Sequence, residues 1–427
     1  MITLPNVSGS VLGGNPANSL LPWDFPEVLD YYDARGGITQ SGERVSAVAP
    51  SLKGADSLLQ ATGANQPIYL PYSGAPYITC KGAASNGLTA PNVSITGNVT
   101  ITADVALDSY ATGSQTLAFN ITANTGFSLV LLATGVLRLA IGNGASTTTY
   151  DSTSAVATAA YTRCTILVEY TDGGSGDVKF YVDGVQLGAT VNTTVTLSAS
   201  SAAMSFIRAT TNTPIGKFYG ATITNGAGTT YYNWSSANLV EGATSFTGND
   251  GLTYTIAVSG AVRAMVVARP WIVHDAAAYF MRAAFSLDQP CGVVFCGLQN
   301  THTNTRALWD GAVNGTASRL RQNTSVASGI QLLAPTTSTV DGDFSLSTKM
   351  VVGAMLNGAS SYMQVNQWAE TASSPGTNNM GGITVGADSA TAPTLFCALQ
   401  WTAMAVVNQS MTPTRMRQLV AAMQRLY

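Results

Sequence analysis

Apolar and polar residues alternate with period two along most of the chain. Residues 94–107, Ser-Ile-Thr-Gly-Asn-Val-Thr-Ile-Thr-Ala-Asp-Val-Ala-Leu, show the pattern at length, and Lys179-Phe180-Tyr181-Val182 repeats it. Such alternation sends one set of side chains to a core and the other to solvent, as a half-buried strand requires. The second run breaks at Asp183-Gly184 and resumes at Val185. An Asp-Gly pair between two such runs predicts a tight hairpin, because a type I′ turn needs positive φ at both central residues. Upstream, residues 165–170 run into a second turn cluster, Asp172-Gly173-Gly174-Ser175-Gly176-Asp177. Three strands joined by tight turns make an antiparallel meander. Further strands are predicted at 127–132, 136–141, 178–182 and 216–224, with the turn spacing of an all-β sandwich.

Residues 263–427 repeat the plan. The segment Phe285 to Phe295 follows Val93-Ser94-Ile95 by roughly 190 residues, and Tyr362-Met363-Gln364-Val365-Asn366 follows the Phe180 hairpin by roughly 180. A constant offset of that kind suggests internal duplication. Residues 383–387 and 398–407 supply the last strands. The period then changes to that of a helix: Thr412 caps, Pro413 takes the first helical position, and Met416, Leu419, Val420, Met423 and Leu426 recur at helical spacing. Residues 1–30, rich in Pro, Gly, Asn and Leu, carry no periodicity until about Val28. They read either as an extended arm that gains order on another surface or as a loop packed on its own domain.

Length and composition narrow the classes. A chain of 427 residues calls for two domains. Only 10% of residues are charged, against about 25% in ordinary soluble domains, so the surface must be Thr, Ser, Asn, Gly and Ala. That suits a protein flanked by neighbours, or one that must stay resistant outside a cell. A net charge of −3 argues against a nucleic-acid binder. The first residues lack the basic and apolar regions of a secretory signal, and no apolar run approaches the roughly 20 residues of a membrane span. Cys291 and Cys296 are five apart, which on one strand sends them to opposite faces as buried thiols.

Several motifs carry a family resemblance. Asp33-Ala34, then Gln60-Ala61-Thr62 and Gln66-Pro67, resemble the opening of concanavalin A-like (laminin-G-like) jelly rolls found in many bacteriophage virion proteins. The Ser94–Ile101 strand, the Phe180-Tyr181-Val182-Asp183-Gly184 hairpin and Gly242-Ala243-Thr244-Ser245-Phe246-Thr247 are similar to the same family. Where relatives carry an Asp-Lys-Ser-Gly-Asn-Gly type of loop, this chain has Ser51-Leu52-Lys53-Gly54-Ala55-Asp56, which weakens any metal expectation there. The resemblance implies an all-β protein of two such sandwiches with a short C-terminal helix. It also implies that the preamble, residues 31–75, packs on a second sandwich at 263–427, with the first sandwich, 76–262, inserted between them. Residues 1–30 would be the arm.

Chemistry is sparse. Glucanases on this fold need closely spaced carboxylates on one strand, but Glu27, Glu43, Glu169, Glu241 and Glu370 lie far apart. The nearest acidic set is Glu169, Asp172, Asp177 and Asp183, whose aspartates sit where turns favour them. Asp172 and Asp177 are the candidate ligands if a calcium ion is held there, which would need several convergent oxygens; no other cofactor is expected. His274 and Asp275 are strand neighbours that point apart, and His302 lies in a polar loop. No Gly-x-Ser-x-Gly elbow, phosphate loop or zinc spacing is present, so an enzyme is not expected. A sugar site would want an aromatic face beside amides and carboxylates. Trp309 and Asp310, at an expected turn flanked by Arg306, Arg319 and Arg321, are the candidates; Trp309, like Trp234 and Trp368, has internal packing as the competing reading.

The resulting expectation is a virion structural protein, a tail-fibre or receptor-binding component that engages host glycan. A capsid decoration or head-fibre protein is the alternative, and a glycan-cleaving enzyme the third. Expected partners are other virion proteins through the arm, copies of the same chain (a trimer by analogy with fibres) and a host-surface glycan, without nucleic acid or membrane insertion.

Overall fold

The computed structural model describes residues 20–427 except 42–43, 52, 71, 73–74, 81–86, 112, 208–215, 226, 241–242, 257–264, 268, 275–277, 300, 314–317, 324–328, 335, 342–343, 347 and 368. Residues 1–19, most of the expected arm, and Trp368 therefore lie outside the described residues. The chain forms two compact units, residues 70–270 and residues 1–69 with 271–427. Strand is the dominant element of both, and a single α-helix, Pro413–Leu426, is present among the described residues.

The 70–270 unit is a sandwich of two antiparallel sheets. One contains Gly176–Val182, Cys164–Tyr170, Val99–Leu107, Gly216–Thr224, Tyr77–Cys80 and Met265–Val267 in that spatial order, with Thr230–Ser235 paired to Gly216–Thr224. The other contains Thr147–Ala155, Val136–Asn143, Thr125–Leu131, Gln115–Phe119, Met204–Phe206, Leu88–Ala90, Thr253–Ile256 and Ser245–Thr247. Ile101, Val105, Ile166, Val168, Phe180 and Ile223 from the first sheet meet Phe127, Leu129, Leu131, Leu139 and Ile141 from the second in one core. Alternation is why: Val99–Leu107 and Cys164–Tyr170 bury every second residue. The long strand begins at Val99 rather than Ser94, because Gly97 takes φ +76° and turns the chain. At the hairpin, Asp183 and Gly184 both have positive φ (50° and 77°) and Val182 pairs with Val185, as a type I′ turn demands. The strand Met265–Val267 pairs with Tyr77–Cys80 in this unit, so the change of unit falls at Trp271, after residue 263.

In the other unit, Val28–Asp33 pairs with Leu399–Val407, which also pairs with Cys291–Gln299, followed by Met350–Leu356 and Ser361–Val365. A second layer runs from Arg44–Val48 through Leu58–Leu59, Met281–Ala284, Gly382–Val385, Ala307–Asp310 and Arg319–Gln322 to Ile330–Leu333. Cys291, Val293 and Phe295 face the core between the layers. Val294 and Cys296 face the other way, under the helix, so the two cysteines do part to opposite faces. Every residue of Cys291–Gln299 is buried as a result. The helix is capped by Thr412, whose hydroxyl accepts from the Arg415 N–H, and it buries Met416, Leu419, Val420 and Met423. Of the expected arm, the described part packs on this same unit: Phe25 is fully buried beneath the helix, stacked by Arg415 at 4.3 Å.

Candidate functional site

The outer face of the Val99–Leu107 sheet, in the 70–270 unit, carries an open cleft of about 250 Å³. Register builds it. Thr102 lies beside Thr222, and Thr222 beside Asn233; Asp104 lies beside Gly220, and Gly220 beside Ser235. Because Ile101, Ala103 and Val105 point into the core, Thr102 and Asp104 point out. A bulge between Phe218 and Gly220 leaves Tyr219 as the extra residue. The bulge turns its ring to the outer side, the re-aiming that bulges perform near sites. Gly220 then leaves the floor bare, since a Cβ there would stand 2.8 Å from the Trp234 carbonyl oxygen.

Arg163 forms the wall. Its Nε and Nη2 donate to the two Asp104 carboxylate oxygens at 2.8 and 2.5 Å, and its guanidinium lies 3.9 Å from the Tyr219 ring centroid. Hydrogen bonding to Asp104 holds the guanidinium pKa above its ordinary value. Tyr77 meets Tyr219 at 5.8 Å, and Lys217 Nζ lies 5.2 Å from the Tyr77 ring. Asn233 contributes an amide whose Oδ1 accepts from Asn249 at 3.3 Å. Trp234 borders the cleft, but its ring packs inside against Phe206 and Tyr254. The lining thus offers a planar charged pair, hydroxyls of Thr102, Thr222 and Ser235, and an amide. It contains one carboxylate, already paired, where glycoside hydrolysis needs two that work across a substrate.

The residues singled out from sequence fall elsewhere. Trp309 and Asp310 are not at an exposed turn; they end the strand Ala307–Asp310 and are fully buried. Trp309 belongs to the core, so its ring has no face for a sugar. Asp310 accepts from the Gly311, Ser318 and Ser389 backbone N–H groups and pairs with Arg319 at 3.1 Å. Arg306 donates to the Thr394 carbonyl at 2.8 Å. Asp172 Oδ1 accepts from Tyr170 and the Leu197 N–H, both at 2.8 Å, while Asp177 pairs with Lys179 at 2.9 Å and accepts from Thr171. Asp172 thus ties its turn to the segment at Leu197, and Asp177 lies on the strand Gly176–Val182 beside Lys179. No three His, Cys, Asp or Glu side chains converge to hold a metal ion among the described residues. Asp30, on the strand Val28–Asp33, is fully buried and accepts from the Ala55 and Asp56 N–H groups, tying the segment around residue 55 to that strand. Asp104, Arg163, Tyr219 and Asn233 went unnoticed in sequence. The one available signal was Gly220 inside a strand pattern, which marks a bulge.

Residues 81–225, within this unit, match the family model for the concanavalin A-like lectin/glucanases superfamily. No curated protein matches the chain in sequence. Among solved structures, mouse laminin alpha1 chain domains LG4-5 are 9% identical, with 80% of this chain and 92% of that chain covered and a TM-score of 0.32. A SAP-like pentraxin from Limulus polyphemus is 12% identical over 43% of this chain and 95% of its own, at a TM-score of 0.30. Trypanosoma rangeli sialidase, in complex with sialic acid, is 9% identical over 70% and 67%, at 0.29. The fold is all-β with one C-terminal helix among the described residues, and the family match assigns a concanavalin A-like, laminin-G-like architecture to the sandwich of the 70–270 unit.

Proposed function

We propose that the protein is a non-catalytic, glycan-binding component of a bacteriophage particle surface, a tail-fibre or receptor-binding part, and that the cleft at Asp104, Arg163, Tyr219 and Asn233 holds the sugar. The observation that carries the binding half is the Arg163–Asp104 pair set rigidly against Tyr219 beside a glycine floor. A saccharide hydroxyl pair matches a carboxylate and a guanidinium side by side, and preorganised donors lower the cost of binding. The virion half is supported by the resemblance of the Asp33-to-Pro67 preamble and of the two strand motifs to phage virion sandwiches, and by a charged fraction of only 10%. In this reading the residues before Leu20 engage neighbouring virion proteins, and three copies assemble together.

The test is a glycan array with purified protein, repeated with Asp104→Ala. Binding to host-derived saccharides that the variant loses is the expected result; a blank array overturns the sugar assignment. Immunogold labelling of particles addresses position. Label on the tail agrees with receptor binding, whereas label on the head replaces that role with capsid decoration.

A further inference from the structure

The 1–69/271–427 unit holds an arginine cluster that the cleft does not involve. On the outer face of its second layer, Arg282 lies beside Thr384, Thr384 beside Asp310, and Arg319 reaches Asp310. Arg319 and Arg321 leave the same face of one strand, because Leu320 between them is fully buried in the core. Their Cα atoms are about 7 Å apart at strand spacing. With Arg306 on the neighbouring strand's approach, four arginines gather here in a chain where only 10% of residues are charged.

Two of the four have structural employment. Arg282 donates to the Thr384 hydroxyl and to the carbonyls of Asp388 and Ala390, and Arg306 to the Thr394 carbonyl, so together they clasp the loop between those residues. The local carboxylates are occupied as well. Asp310 has three backbone donors besides Arg319, and Asp388 accepts from the Thr394 N–H and hydroxyl.

Among the described residues Arg321 has no carboxylate partner. Its Nη2 donates to the neutral Gln331 Oε1 at 3.1 Å. The Nε of Arg321 is buried without a hydrogen-bond partner among the described residues, whereas the Nε of Arg319 faces Asp310 Oδ2 at 3.1 Å. Burial, with the like charge of Arg319 added, pushes the Arg321 guanidinium below its ordinary value. A guanidinium has five donors in a fixed fork, and leaving it half-desolvated beside another cation is unfavourable unless an anion completes it.

The geometry points to an oxyanion site at Arg319 and Arg321, open to the carboxylate or sulfate group of an acidic saccharide. Two forks on one face bracket a planar or tetrahedral oxyanion, and charge-assisted bonds of this kind are the strong ones. Asp310 orients Arg319 from below, leaving Arg321 to supply the uncompensated charge.

Titration calorimetry on the full chain tests this with four probes: a uronic-acid disaccharide, its sulfated counterpart, a neutral disaccharide and inorganic sulfate. Either acidic saccharide is expected to bind, more weakly as ionic strength rises. Arg321→Gln should lose about tenfold or more in affinity, the scale of one charged hydrogen bond, while Arg321→Lys retains part of it and both variants keep the parent melting temperature. Unchanged affinity in a folded Arg321→Gln protein overturns the site, and so does equal binding of a neutral disaccharide. Binding of inorganic sulfate with neither acidic saccharide overturns the saccharide assignment. Asp104→Ala must leave this binding intact, which separates a failure here from a failure of the cleft.

Discussion

The indole N–H of Trp401 donates to Nε2 of His274 across 3.0 Å, and both side chains are fully buried. An indole only donates, so Nε2 must be the acceptor and the ring proton sits on Nδ1, 3.1 Å from the Tyr279 carbonyl oxygen. Gly386, at φ +83°, lies against the same ring: a Cβ there would stand 2.2 Å from Nδ1. Replacing Trp401 by Phe strands a buried acceptor and is expected to cost about 1–3 kcal/mol. Gly386→Ala meets both the clash and the strained φ and should cost at least as much. Denaturant unfolding of each variant measures both values.

Tyr427 closes the same unit. Its hydroxyl donates to Asp33 Oδ2 at 2.5 Å, Arg35 stacks on its ring at 4.6 Å, and Lys349 reaches its carbonyl oxygen. Asp33 is buried and also carries Arg35. Tyr427→Phe removes one donor and is expected to cost about 1 kcal/mol, and Tyr427→Ala about 2–4 kcal/mol through lost packing. A melting curve that leaves Tyr427→Ala level with the parent would contradict the clamp.

Alkali should destabilise the 1–69/271–427 unit through its thiols. Burial raises Cys291 and Cys397 from 9.0 to about 12. Between those values the unfolded chain releases thiol protons that the folded chain keeps. The unfolded state then binds fewer protons, so stability is complete below about pH 9 and falls as pH rises toward 12, by about 1.4 kcal/mol per pH unit for each thiol. Unfolding free energies across that window should show the slope flattening in Cys291→Ala/Cys397→Ala. Neither thiol should react with iodoacetamide in the native protein.

The hairpin isolates a backbone effect. Gly184 has φ +77°, and a Cβ added there meets nothing within 4 Å. Gly184→Ala should therefore cost about 1 kcal/mol from conformation alone. Gly353→Ala differs in kind, since its Cβ would stand 2.8 Å from Met416 Sδ under the helix. Its cost should fall when Met416 is shortened to Leu, a coupling that the Gly184 variant cannot show and that a double-mutant cycle reads.

In the cleft, Asp104 and Arg163 are part-exposed, so their ion pair contributes about 0–1 kcal/mol to folding. Asp104→Ala should leave the melting temperature nearly unchanged while abolishing retention on immobilised host saccharide. A large loss of stability instead would make the pair structural.

Local pattern was enough for whatever depends on neighbours in sequence. Period-two alternation located Cys164–Tyr170 and Gly176–Val182, the Asp183-Gly184 pair announced the turn, and Thr412-Pro413 announced the helix. The odd separation of Cys291 and Cys296 was likewise enough to send them to opposite faces. Trp309 defeated the same reasoning: an aromatic before Asp310-Gly311 resembles a loop tip, yet it ends a strand paired with Gly382–Val385 and its ring is buried in the core. Burial is conferred by strands distant in sequence, and a window of a few residues carries no trace of them. That also explains the cleft. Asp104 and Tyr219 stand on two paired strands and Arg163 immediately precedes a third, and only the register of those strands, with one bulged residue, brings a carboxylate, a guanidinium and a ring together. Composition and alternation therefore determined that the chain folds as facing sheets, while long-range pairing decided which of its few charges would meet.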